Sequence, residues 1–140
     1  MKDKKSTDEY VDVLFANPPS PDGRIYIRDI DRSGRYSRED TIWPQSNLAY
    51  LAAAVSDKYS VDLVDCIAEK MDWPAFKEYV NTKKPRYIVS NVISSIVSND
   101  TRVGDIAHEI NARLIAIGPH VTALPKESLH TYPGIDYVII

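Results

Sequence analysis

The sequence predicts an α/β domain: a flavodoxin-like, doubly wound, five-stranded parallel sheet of Rossmann-like kind, in the order 2-1-3-4-5. Three observations carry that prediction. Five short apolar runs rich in Val and Ile recur along the chain, with helical-period segments between them. The runs are apolar almost throughout instead of alternating with polar residues, as strands covered on both faces should be. Two short βα units flank the first strand, which sets the reversal of strand order beside it.

Residues 1–9 are charged and polar and read as a flexible tail, leaving 10–140 as the domain. The first strand is Tyr10–Ala16, "YVDVLFA", stopped by "NPPSPDG". After a long polar segment, Leu48, Leu51, Ala52 and Val55 recur at helical spacing, with Pro44 or Ser46 at the start. Ser60–Asp65 is the second strand. Asp72 is placed to cap a second helix whose Trp73, Phe76 and Val80 share a face. Arg86–Asn91 is the third strand, and Ser98 or Asn99 the expected cap of a third helix with Val103, Ile106, Ala107 and Ile110 inward. Arg113–Gly118 is the fourth strand, a helical turn follows at Pro125–His130, and Ile135–Ile140 is the fifth.

The 140 residues fit one domain with a core of its own. A net charge of −3 offers no basic surface for nucleic acid. There is no transmembrane segment, the polar start is no signal peptide, and the single Cys66 excludes an internal disulfide framework, so a cytoplasmic protein is expected. The last apolar strand has no covering helix after it. That reads as an N-terminal fragment of a longer chain, against the alternative of a small domain with a bare edge.

Ligands of such sheets sit beyond the carboxyl ends of the strands, so the loops there matter most. The first, Asn17 to about Trp43, is unusually long. Arg24, Arg28, Arg32, Arg35 and Arg38 alternate there with Asp22, Asp29, Asp31, Glu39 and Asp40. It reads either as a solvated, mobile loop with local ion pairs or as a lid or domain contact, and "IYIRDI" as a short hairpin arm. It holds no Gly-x-Gly-x-x-Gly, and Pro18 and Pro19 lack the N–H groups of a phosphate cradle. Ala16-Asn17 and Ser90-Asn91 stand where a phosphoryl-accepting receiver needs acids. In the third loop Ser90, Ser94, Ser95 and Ser98 could bond a ligand or local backbone, with Ser98 the capping candidate. In the fourth, Gly118 permits close approach or an unusual dihedral, Pro119 stiffens the exit, and His120 follows. His108 reads as a solvated helix position, His130 as part of a turn, and no histidine pair has metal-site spacing with carboxylates. Asp62 and Asp65 alternate on the second strand, one of them at its ligand end.

Taken in order, "VLFANPPSPDGR", "WPQSNLAYLAAAV", "VDLVD", "YIVSNVISS", "IGPHVTALP" and "IDYVII" resemble the cobalamin (B12)-binding domain of radical S-adenosylmethionine enzymes. The type is that of anaerobic magnesium-protoporphyrin monomethyl ester cyclase and hopanoid methylase. The resemblance covers nearly the whole chain from Val11. It implies cobalamin across the carboxyl ends of the sheet, with the nucleotide tail between the third and fourth loops. Ser90, Val92 and Ser94, with neighbouring Ser95, match the Ser-x-Leu-x-Thr type of motif. Gly118 matches the second glycine of a Gly-Gly pair whose first is replaced by Ile117, and Pro119, His120 and Val121 resemble the family's exit. Pro18, Pro19, Trp43 and Pro44 resemble the segments bordering the corrin. A side chain at Gly118 would then fill ligand space, so Gly118→Val is expected to abolish binding with only modest loss of fold. Family chains continue with Gly-Glu-rich residues and a C-x-x-x-C-x-x-C motif. The parent would thus carry a [4Fe-4S] cluster and S-adenosylmethionine in a C-terminal radical domain and perform methyl transfer or ring formation, the domain alone being inactive. Mutase-type domains ligate cobalt through a histidine after the first strand; Asn17 to Trp43 contains none, which implies a base-off cofactor with no histidine ligand. The alternatives are a flavin- or nucleotide-binding α/β module and a non-catalytic interaction domain.

Overall fold

The computed structural model describes residues 10–29 and 33–140. The expected tail at 1–9, and Ile30, Asp31 and Arg32 of the first loop, lie outside the described residues. The sheet has five parallel strands in the order β2-β1-β3-β4-β5: β1 Val13–Asn17, β2 Val61–Asp65, β3 Tyr87–Asn91, β4 Arg113–Ile117 and β5 Tyr137–Val138. This is the predicted flavodoxin-like order.

Each strand sends alternate side chains to opposite faces, and two clusters fill accordingly. On one face Leu14, Ala16, Ile88, Leu114 and Ala116 pack under Trp73, Phe76 and Val80 of α2 (Trp73–Lys83) and Val103, Ile106 and Ala107 of α4 (Arg102–Glu109). On the other, Phe15, Val89 and Ile117 pack with Leu48 and Ala52 of α1 (Ser46–Val55). Burying each large side chain stabilises the fold by about 1.5–3 kcal/mol relative to exposure.

Helix ends follow local chemistry. The Asp72 carboxylate accepts the Ala75 N–H at 2.9 Å, Pro74 lies in the first turn, and Lys84 ends α2 in the left-handed region with its N–H on Val80 O at 2.8 Å. Gly104 of α4 lies against Gly134, where a Cβ would collide with the Gly134 backbone.

Three expectations change. The third helical segment starts earlier, with a 3₁₀ turn at Ser94–Ile96 and a short helix α3 at Val97–Asp100, and neither Ser98 nor Asn99 caps it. Asn99 is used otherwise, accepting from Trp73 Nε1 at 3.0 Å and donating to Pro19 O at 2.9 Å. Gly118-Pro119-His120 is no extended exit but the start of a short helix, α5 (Pro119–Ala123), followed by α6 (Pro125–Thr131). The fifth strand shrinks to two residues: as an edge strand it has one neighbour, bonded through Asp136 N to Leu114 O and Ile139 N to Ala116 O, both 3.1 Å. No helix of the described residues is long and apolar enough to cross a membrane.

Candidate functional site

Strands that are apolar along their length end in polar residues at the carboxyl edge. Asn17 of β1 stands opposite Asp65 of β2, Ala16 opposite Ser90, and Asn91 of β3 opposite Ile117. Asn17, Ser90 and Asn91 are buried to within 1% exposure, so their polar atoms need partners inside the fold or from a ligand.

One half of this edge is mutually satisfied around Arg28. Its side chain and that of Asp100 are both fully buried, and they meet in a two-pronged pair: Arg28 Nη2 donates to Asp100 Oδ1 at 2.7 Å and Nε to Oδ2 at 3.2 Å. Nη1 also donates to Asn17 Oδ1 at 3.0 Å and Pro18 O at 2.9 Å, and Nη2 to Pro19 O at 3.4 Å. Asn17 Nδ2 in turn donates to Asp65 Oδ1 at 2.8 Å. Burial pushes the Asp100 carboxyl up, while Arg28, the Ile93 N–H and Asn99 Nδ2 pull it back. Every one of those contacts is an N–H donor, so the geometry suits a carboxylate and leaves no acceptor for an acid proton. The reading of Arg28 as part of a solvated, mobile loop is overturned: this arginine bolts the first loop to α3. The loop residues just before Arg28 pair antiparallel with Arg35 and Tyr36: Tyr26 is bridged to Tyr36, and Ile27 N donates to Arg35 O at 2.8 Å.

The other half is not satisfied. Among the described residues, the buried side-chain atoms Gln45 Oε1, Ser90 Oγ and Asn91 Nδ2 have no hydrogen-bond partner in the protein. Gln45 Nε2 is spent on Trp43 O at 3.1 Å, and Asn91 Oδ1 accepts from Asn47 Nδ2, in the first turn of α1, at 2.9 Å. Asn91 thus ends β3 on the face covered by α1, while Ser90, one residue earlier, turns to the opposite face beside Ala16 and Ala116.

The remaining predicted site residues divide by depth. Ser94 and His120 meet, Oγ to Nδ1 at 2.9 Å, and the His120 ring stands edge-on to Tyr132 with centroids 6.2 Å apart. Ser95 and Pro119 are exposed. Val92 and Val121 are core side chains, so any ligand contact there runs through their backbone. Pro18 and Pro19 are buried with their carbonyls bound to Arg28; Trp43 is half-buried and Pro44 exposed. Gly118 has φ 109°, and a Cβ there would stand 3.0 Å from Val92 O and 3.2 Å from Val92 N. The space a side chain would fill at Gly118 belongs to this chain's own third loop. The expectation of only modest fold loss in Gly118→Val is therefore corrected.

The fold and the edge define an α/β domain of flavodoxin-like topology with a half-satisfied polar site at its switch point. No protein-family model matches the chain, and no solved structure matches it. It is similar to an uncharacterized methyltransferase of Pyrococcus horikoshii, 29% identical over 101 residues that make up 71% of this chain and 22% of that protein. The chain thus spans well under a third of the relative's length.

Proposed function

We propose that this domain binds cobalamin at the carboxyl edge of the sheet and serves methyl-transfer chemistry as one part of a larger radical S-adenosylmethionine enzyme. The observation that carries the reading is the pair of unspent buried atoms, Ser90 Oγ and Asn91 Nδ2, at the end of a central strand. Leaving such atoms unbonded costs about 1–3 kcal/mol each, a cost that a ligand rich in amide, hydroxyl and phosphate oxygens would offset. The similarity to a protein named as a methyltransferase supports the reading, as does the resemblance of the third- and fourth-loop motifs. Ser90, Asn91 and Asn47 would hold the ligand from β3 and α1, Ser94 and His120 from the outer rim, and the Arg28 bolt would keep the first loop in place beside them. Bound there, cobalamin would supply a carrier for the methyl group.

The test is retention. The chain is mixed with hydroxocobalamin, desalted, and its visible spectrum taken; retained corrin absorbance near one equivalent is expected. Ser90→Ala removes only an unpartnered hydroxyl, so it should leave the unfolding midpoint unchanged or raised while weakening retention. No retained absorbance, or retention of flavin instead, would overturn the proposal.

A further inference from the structure

On the far side of β1 from Ser90 and Asn91, the first loop and the turn after β2 enclose a cleft of about 410 Å³. That is within the usual small-ligand range of about 300–1,000 Å³. Its walls are apolar: Ile25 and Ile42 from the loop face Cys66, Ile67 and Met71 from the turn. Cys66 adds to this wall and not to its reactivity, because burial, followed by the charge of Asp65, pushes its thiol up to about 12. The rim carries two cations and the carboxylate of Asp72. Arg24 and Lys70 both line the cleft. The carboxylates nearby are already occupied: Asp72 caps α2, and Asp22 accepts from Ser20 Oγ, the Arg24 N–H and Tyr26 Oη, each at 3.1 Å. Arg24 reaches Asp22 only through Nε at 3.5 Å and otherwise lies over the Tyr36 ring. The Lys70 ammonium has no carboxylate partner among the described residues.

We propose that this cleft binds a small amphipathic carboxylate, its hydrocarbon against Ile25, Ile42, Ile67 and Met71 and its charged end between Lys70 and Arg24. An apolar floor with Lys70 unpaired and Arg24 held to Asp22 only at 3.5 Å matches that chemistry: the floor favours the chain, and the rim favours an anion over its alcohol. The site is separate from the β3 edge and does not rest on the cobalamin reading.

Lys70 supplies a decisive test. The turn closes with Met71 N donating to Cys66 O at 2.8 Å, and Lys70 sits at the position just before it with φ 54°. Glycine is the residue that adopts this conformation without cost. Lys70→Gly therefore relaxes the backbone while deleting the cation, so lost binding cannot be laid to a lost fold. Backbone amide NMR of the chain is followed during titration with sodium decanoate below its micelle concentration, with 1-decanol as the uncharged control. Saturating shifts at Ile25, Ile42, Ile67 and Met71 are expected, with 1-decanol weaker. Lys70→Gly should bind decanoate about tenfold more weakly, the worth of one charge-assisted contact, at an equal or higher urea midpoint. No saturating shift at those residues, equal affinity in Lys70→Gly, or 1-decanol binding as tightly as decanoate would each overturn the proposal.

Discussion

Removing the Arg28 guanidinium while keeping its aliphatic stem, as Arg28→Met does, should cost more than any surface charge in this protein. The structure sets the size. Arg28 and Asp100 are both at zero side-chain exposure, so solvent cannot screen the carboxylate once its partner is gone. Asp100 would keep only the Ile93 N–H and Asn99 Nδ2, both at 3.2 Å, while Pro18 O and Asn17 Oδ1 would lose their donor. Breaking such a pair from one side costs about 3–5 kcal/mol. Against the usual 5–15 kcal/mol of total stability, that takes away a large part of the fold. The double variant Arg28→Met, Asp100→Leu no longer buries a lone charge and should recover much of the loss. Urea unfolding of the wild type, both single variants and the double variant gives the coupling directly, provided the slope with urea stays constant. Arg28→Met costing less than about 1 kcal/mol, the range of an exposed pair, would refute the reasoning. So would strictly additive single variants.

Three further outcomes follow from local geometry. Gly118→Ala should destabilise by about 1–3 kcal/mol, because φ 109° excludes ordinary residues and the new Cβ meets Val92 O; an unchanged thermal midpoint would contradict this. At the opposite edge, burial raises the Asp136 carboxyl, but His108, the Leu114 N–H and Arg113 outweigh it and hold the group below the ordinary range. Its folded pKa lies under the unfolded value, so its stabilisation is present above about pH 4 and lost as pH falls further; Asp136→Asn should be less stable at neutral pH and show a shallower acid loss, measured as the unfolding midpoint from pH 7 downward. Electron paramagnetic resonance of bound cobalamin reduced to Co(II) should show no nitrogen superhyperfine splitting, since no histidine lies between Asn17 and Trp43; a nitrogen triplet that vanished in His120→Ala would make His120 the axial ligand.

The strands were readable because burial on both faces leaves a local mark: "VLFA", "YIVS" and "LIAI" are apolar without alternation. The Asp72 cap was readable because its partner is three residues away. What escaped was chemistry that spans the chain. Arg28 and Asp100 are 72 residues apart, and neither stands in a periodic pattern. A hint existed in Pro18-Pro19: prolines bring carbonyls and no N–H, so a buried pair of them needs donors from elsewhere, and arginine is the side chain that can supply several at once. The short helix α5 has a signal of its own, a proline at the first helical position just after Gly118, which a strand exit and a helix start share.

The carboxyl edge is therefore built of two unlike halves, and the difference bears on function. Around Arg28, charged and polar groups are packed to mutual satisfaction; that half fixes the first loop against α3 and has no bonding capacity to spare. At β3 the reverse holds. Ser90 and Asn91 lie on the central strand between β1 and β4, yet Ser90 Oγ and Asn91 Nδ2 remain unbonded at zero exposure. Gly118 brings the Val92 backbone against β4 at the same level, with Val92 N on Ile117 O at 2.8 Å. Among the described residues, the free bonding capacity at this edge thus sits at the carboxyl end of β3, Asn91 on the α1 face and Ser90 on the other. A ligand that bonds there meets groups already desolvated and held in place, and so loses little ordering entropy to the protein on binding.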